Sequence, residues 1–224
     1  MHLRMFKKVL QIFIPLFFSL PLLLFKMEGI HIASLNINGL NVTDKQRSLI
    51  IFLQYNKIQI LLIQEHNIRN KNVICQELHD LYYVNLNLAI AHKGGTAILI
   101  DKRLDFRIRN NEMSADSRII SMSIQLYEKP LYLVNIYAPS GSRNSDRENF
   151  FKENLTYYLR NNLDNSVIGG YFNCITSARD SISNSTHVCK ILLDNFRKLN
   201  SKDVWFINTG ILNILMSGKI MAHA

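Results

Sequence analysis

Polar residues stand where apolar runs stop. Asn36 and Asn38 follow the run 30–35 (IHIASL), Glu65 follows 58–63 (IQILLI), Tyr137 ends 131–137 (LYLVNIY), and Asn173 follows 167–170 (VIGG). One such residue is an ordinary turn or strand end, because Asn favours turns and Tyr suits strand ends. Brought together, they have a specific chemistry. A carboxylate among carboxamides offers hard oxygen ligands to a divalent cation, while amide NH₂ groups and a phenol donate to phosphate oxygens.

Such a site needs strands that end on a common edge. The run 30–35 reads as a buried strand that stops in Asn36-Ile37-Asn38-Gly39. Residues 45–55 follow with Leu49, Phe52 and Leu53 on one helical face, behind a cap at Thr43 or Asp44. The run 58–63 then ends in Gln64-Glu65-His66, polar residues at the carboxyl end of a strand, where α/β sheets place ligand sites. Residues 96–100, 119–126 and 131–137 read as further strands, with a hairpin turn at Glu128-Lys129-Pro130. Ser145 with Glu148 predicts a capping box, opening a helix with Phe151, Leu155, Tyr158 and Leu159 on one side. Val188, Ile191, Leu192, Phe196 and Leu199 mark a last helix, and the pattern dissolves after Trp205. Strands joined both by helices and by hairpins predict mixed sheets with helices outside, an α/β sandwich.

The chain has 224 residues, 48% of them hydrophobic, enough apolar material for one sizeable core. Four prolines and nine glycines exclude a collagen-like or Pro/Gly-rich disordered chain. Three cysteines, Cys75, Cys174 and Cys189, form no CxxC pair, which supports neither a disulfide framework nor a zinc knuckle. The net charge is +9, but Arg4, Lys7, Lys8 and Lys26 lie in a front segment without acids, so the remainder carries 22 basic against 17 acidic residues. That balance tolerates a polyanion without specifying one.

Residues 9–25 (VLQIFIPLFFSLPLLLF) are almost wholly apolar. As a helix they would reach roughly 25 Å, under the ~30 Å hydrocarbon core, and Pro15 and Pro21 weaken that helix. Three readings stay open: a cleaved signal, a short anchor, or an upstream extension before a start at Met27. The expected organisation is a hydrophobic segment at 1–26, a single incomplete domain at 27–207 and a divergent tail at 208–224.

The ordered set SLNINGL (34–40), ILLIQEH (60–66), GGTAILI (94–100), LVNIYAPSG (133–141) and IGGYFNCI (168–175) resembles the endonuclease/exonuclease/phosphatase superfamily. Its nearest flavour is the apurinic-site-like endonuclease domain of non-LTR (LINE-type) retrotransposons. The resemblance spans about 180 residues, Gly29 to about Trp205. It implies a four-layer α/β/β/α sandwich of two mixed sheets and Mg²⁺-dependent (or Mn²⁺-dependent) cleavage of a DNA phosphodiester. By the same resemblance Glu65 matches the metal-binding glutamate and Asn36 the asparagine beside it. Asn38 is similar to the second polar position of that turn, Tyr137 to the tyrosine that touches the scissile phosphate, and Asn173 to the asparagine that helps hold the phosphate and attacking water.

Two departures bear on activity. The family's Gly-Asp-Phe-Asn is here Gly170-Tyr171-Phe172-Asn173, which puts a phenol, a residue type neutral near pH 7, in place of the catalytic aspartate. The family's closing Ser-Asp-His-type motif has no counterpart after Trp205, and His223 has no aspartate beside it. The resemblance therefore predicts a weak or inactive nicking endonuclease whose second sheet lacks its C-terminal strands. The alternatives are a non-catalytic nucleic-acid-binding remnant and a membrane-anchored phosphodiesterase of the same superfamily. DNA is the expected partner, with no obligate protein partner, and a membrane only if 9–25 is retained as an anchor. A start at Met27 implies a nuclear or cytoplasmic protein; a retained front segment implies a membrane-associated one.

Overall fold

Strands that are apolar on both faces must be covered on both, and three buried clusters do this in layers. The computed structural model describes residues 22–27, 29–90, 94–140, 144–160, 165–174, 189–198, 202–203 and 218–223. One sheet contains β1 (Leu22–Met27), β2 (Ile30–Asn36), β3 (Ile60–Gln64), β4 (Tyr82–Asn87) and β5 (Thr96–Asp101), in the order β1-β2-β3-β5-β4. The other contains β6 (Phe106–Met113), β7 (Ile119–Leu126), β8 (Lys129–Tyr137), β9 (Ser166–Tyr171), β10 (Lys202–Asp203) and β11 (Gly218–His223), in the order β10-β11-β9-β8-β7-β6. Each sheet is mixed: β2 runs parallel to β3 and β8 parallel to β9, and every other pairing is antiparallel.

The two-residue period of each strand divides its side chains between layers. Ile32, Ile60, Leu62, Ile98 and Ile100 point between the sheets, where they meet Ile120, Met122, Ile124, Leu131, Leu133 and Val167. The alternate residues Ala33, Leu35, Leu61, Ile63, Ala97 and Leu99 pack outward with α1 (Thr43–Tyr55) and α2 (Gln76–Leu81). On the far side Tyr132, Val134, Ile136 and Ile168 pack with α3 (144–158) and with α4 (Lys190–Lys198). Helix α3 is continuous from Asn144–Asn149 through a wider π-type stretch, Phe150–Leu155, to Thr156–Tyr158. Helices, sheet, sheet and helices give the α/β/β/α sandwich expected from the sequence.

The structure differs from the sequence expectation at several element ends. Helix α1 starts at Thr43 with Val42 as N-cap and no side-chain cap, so neither Thr43 nor Asp44 caps it. Its buried face also includes Gln46, which donates to Leu40 O and Val73 O, both at 2.9 Å, and so stitches two loops to the helix. Ser145 lies inside α3 rather than at a capping box. The β7–β8 turn is made by Tyr127 and Glu128, at φ 46° and 68°, with Pro130 already in the strand; a two-residue turn of that hand matches strand twist.

Strands also cross or lie beyond the boundaries drawn from the sequence. β1 runs across the boundary drawn at residue 26 and pairs with β2 over its whole length. The second sheet does not stop at β9: Gly218–His223, in the expected divergent tail, pairs antiparallel with all of Ser166–Tyr171. No helix among the described residues is long and apolar enough to cross a membrane; residues 9–21 of the apolar front segment lie outside the described residues.

Candidate active site

The crossovers β2-α1-β3 and β8-α3-β9 bring four strand ends to one edge. In the parallel registers Asn36 stands level with Gln64, and Tyr137 level with Tyr171. Beyond β3 the chain turns sharply, with Glu65 at φ 55°, a left-handed conformation that is costly for a glutamate and persists only where surrounding bonds impose it. Those bonds are present. Gly39 N–H donates to Glu65 O at 2.6 Å and Leu40 N–H to His66 O at 2.8 Å, so the turn after β2 grips the turn after β3. Lys45, from α1, holds the first turn by donating to Ile37 O at 2.8 Å and Asn38 O at 3.2 Å.

Four of the five expected residues form one network, Asn38 through its backbone and the other three through their side chains. Asn36 Nδ2 donates to Glu65 Oε1 at 2.8 Å, and Asn36 Oδ1 accepts from the Asn38 backbone N–H at 3.3 Å. The Tyr137 hydroxyl hydrogen-bonds the same carboxylate. Burial first, then the Glu65 charge and hydrogen bond, push the Tyr137 phenol up to about 12, so it remains an O–H donor. Asn38 contributes its backbone, at φ 47°, while its side chain is exposed.

Asn173 sits on the same edge, at φ 49°, and its Nδ2 donates to Ala138 O at 2.6 Å, just past Tyr137. Its carbonyl accepts from Arg147 Nη1, on α3, at 2.6 Å. Tyr171 is half-buried, its ring centroid 6.4 Å from that of Tyr137 and tilted by 37°. The site's aromatic wall therefore occupies the position where the sequence comparison expects a carboxylate.

Sequence reading missed several supporting residues. Arg118 places its guanidinium carbon 5.3 Å from the Tyr137 ring centroid and donates from Nη1 to Tyr137 O at 3.3 Å. Below the site, Gln64 Nε2 donates to Asn135 Oδ1 at 2.6 Å and to Ser34 Oγ at 3.1 Å, joining the sheets. His66 is fully buried; its Nδ1 accepts from Ile68 N–H at 3.0 Å and its Nε2 donates to Asn87 O at 3.1 Å. Desolvation lowers the His66 pKa to about 4, so the ring is neutral. Gly95, at φ +86°, makes room for that ring: a Cβ there would lie 2.4 Å from His66 Cε1. Neither Arg118 nor Asn135 carries a local sequence signal beyond lying at a strand start or within an apolar run.

The donor chemistry of the edge suits a hard cation. Glu65 supplies a carboxylate and Asn36 an amide oxygen, donors of the hard kind that Mg²⁺ takes; here Asn36 turns its Nδ2 to Glu65 and its Oδ1 to the Asn38 N–H. Among the described residues no group of three or more His, Cys, Asp and Glu gathers that could hold a metal ion by itself. The backbone register also locates His223. It pairs with Ser166, while Gly218 pairs with Tyr171, so His223 stands five residues along β11 from the site edge, roughly 17 Å at strand rise.

No protein-family profile matches the chain. Solved structures do. An AP endonuclease from Archaeoglobus fulgidus superposes with TM-score 0.68 at 19% identity, covering 86% of each chain. A 3′ phosphatase from Neisseria bound to a product DNA hairpin gives TM-score 0.67 at 16% identity, again over 86% of each chain. The chain has the endonuclease/exonuclease/phosphatase fold. The endonuclease domain of a telomere-specific non-LTR retrotransposon shares this fold too, at TM-score 0.59 and 14% identity over 85% of this chain and 82% of that one. In this fold the chain's Asn36 and Glu65 stand at strand ends of one sheet, and Tyr137 and Asn173 at the neighbouring strand ends of the other.

Proposed function

We propose that the protein is a DNA-nicking endonuclease of the non-LTR retrotransposon type whose hydrolytic step is weakened at Tyr171. The observation that carries this reading is the Asn36–Glu65–Tyr137 network, with Asn173 beside it, on the shared edge of two sheets. DNA-bound and nuclease relatives of the same fold support it.

Glu65 and Asn36 are the residues that would hold Mg²⁺ or Mn²⁺, and such an ion, when bound, neutralises charge on a phosphate. The remaining work falls to the protein's own groups. Tyr137 O–H, kept protonated, donates to a phosphate oxygen when the substrate displaces its bond to Glu65. Asn173, fixed by Ala138 and Arg147, orients the phosphate and the water beside it. Tyr171 offers that water no carboxylate, and loss of one such acid–base group costs about 10²- to 10⁴-fold in rate.

The test is Mg²⁺-dependent nicking of supercoiled plasmid by the purified full chain, beside Glu65→Ala and Tyr171→Asp. The expected result is slow nicking that Glu65→Ala abolishes and Tyr171→Asp accelerates by about 10²-fold or more. Plasmid binding that weakens with salt but ignores Glu65→Ala, with all three chains silent in cleavage, would instead establish a binding remnant.

A further inference from the structure

Two of the three cysteines meet behind the site. Cys174 follows Asn173 at the end of β9, and Cys189 precedes α4; fourteen residues separate them in sequence. Both are partly buried against the cluster that contains Phe151, Phe172, Leu192 and Phe196. The two thiols are hydrogen-bonded to each other, and the Cys189 sulfur also accepts from the Leu192 backbone N–H. That second bond is the geometry of an N-cap: Leu192 is the third residue of α4, and its amide is one of the donors a helix start leaves unpaired. Cys75 lies elsewhere, at the start of α2 against the opposite helical layer.

We propose that Cys174 and Cys189 are a reversible thiol–disulfide site that closes on reaction with a hydroperoxide. The Cys189 thiolate attacks one peroxide oxygen, the O–O bond breaks, and the other oxygen leaves as water (or an alcohol) after taking a proton. Cys174 sulfur then attacks the resulting Cys189 sulfenic acid, its S–OH bond breaks, a second water leaves with the Cys174 proton, and the S–S bond forms. The thiols lose two hydrogens and two electrons, and the peroxide gains them. A dithiol reductant reverses the change by exchange.

Two features favour Cys189 as the attacking sulfur. The hydrogen bond from Cys174 and the Leu192 amide outweigh burial and lower its pKa below that of an ordinary thiol, which favours the thiolate. Among charged neighbours Arg147 favours the thiolate and Glu148 opposes it. The disulfide ties the segment after Asn173 to the first turn of α4 and closes the stretch between the two cysteines into a ring, which constrains the unfolded chain and raises the thermal midpoint.

The experiment uses the full chain treated with a small excess of hydrogen peroxide, alkylated with iodoacetamide and mapped by mass spectrometry without reductant. The expected product is one intramolecular linked peptide pair containing Cys174 and Cys189, lighter by two hydrogens, with Cys75 alkylated and the pair released by dithiothreitol. Cys75→Ser leaves this product unchanged. Cys189→Ser keeps a capping oxygen and leaves Cys174 alkylatable after the same treatment. Recovery of Cys174 and Cys189 as fully alkylated as Cys75, or linkage of either one to Cys75, overturns the proposal.

Discussion

Gln64 on β3 donates from Nε2 to Asn135 Oδ1 on β8 across 2.6 Å, in the buried space between the two sheets. Asn135 uses its own amide to donate to Ile63 O at 2.7 Å and Ala97 O at 2.8 Å. One side chain thus bonds three places on the opposite sheet, next to the strand ends that carry Glu65 and Tyr137. Polar groups in the apolar layer cost little when fully satisfied, and they fix which residues of the two sheets face each other.

Replacing Asn135 by Ala leaves the Gln64 amide short of an acceptor, removes a donor from each of two carbonyls and opens space between the sheets. The expected loss is about 2–4 kcal/mol. Urea unfolding should show a lower midpoint with an unchanged slope, the sign of lost stability without a changed unfolded state.

Gly170 is required by backbone proximity rather than by a turn. At φ +151°, a Cβ on it would lie 2.0 Å from Ile136 O in the neighbouring parallel strand. Gly170→Ala must therefore push β9 from β8 beside Tyr137 and Tyr171, at an expected cost of about 3 kcal/mol. Gly29, at φ +87°, has nothing within 4 Å, so Gly29→Ala bears only the conformational penalty, about 1–2 kcal/mol. Parallel thermal melts of the two variants separate steric from conformational cost.

The sequence made the strands around the site legible because β2, β3, β7 and β8 are apolar on both faces and stop abruptly at Asn36, Gln64-Glu65 and Tyr137. β6 was illegible for the opposite reason: FRIRNNEM is an edge strand, exposed along most of its length, and its apolar alternation stops after Phe106 and Ile108. The contact of Arg118 with Tyr137 depends on the antiparallel register of β7 with β8, which no local pattern encodes. β11 was missed because GKIMAH begins with Gly and Lys and has one β-branched residue, so its identity as a strand comes from its partner β9.

His66 gives the protein a pH-dependent stability of definite sign. Its folded-state pKa is about 4, against 6.5 for an ordinary histidine, so between those values the unfolded chain binds more protons than the folded one. Stability is full above pH 6.5 and falls as pH drops toward 4, by about 3 kcal/mol in all at 1.36 kcal/mol per unit. Protonation at Nδ1 also removes the acceptor of the Ile68 N–H. Denaturant midpoints measured from pH 7 to 4.5 should decline along this curve. His66→Asn, with no ring to titrate, should flatten the decline whatever its own loss of stability.

Asn36 tests whether the strand-end network acts as a unit. It does not need to touch a substrate to matter: its Nδ2 fixes one Glu65 oxygen at 2.8 Å, and its Oδ1 fixes the Asn38 backbone. In Asn36→Ala, Glu65 keeps its charge but loses the donor that orients it against its left-handed backbone. Groups that orient a metal-binding carboxylate are typically worth 10- to 100-fold in affinity or activity. Under the proposed function, nicking by Asn36→Ala should be slower by about that factor and should need more Mg²⁺ to saturate, while Asn36→Asp, which keeps an acceptor for Asn38 but sets a second carboxylate against Glu65, should respond differently to the ion. A cation titration of both variants separates the two contributions. A shift in Mg²⁺ demand with Asn36→Ala means Asn36 acts through Glu65, whereas a slower rate at unchanged demand means it acts on the phosphate itself.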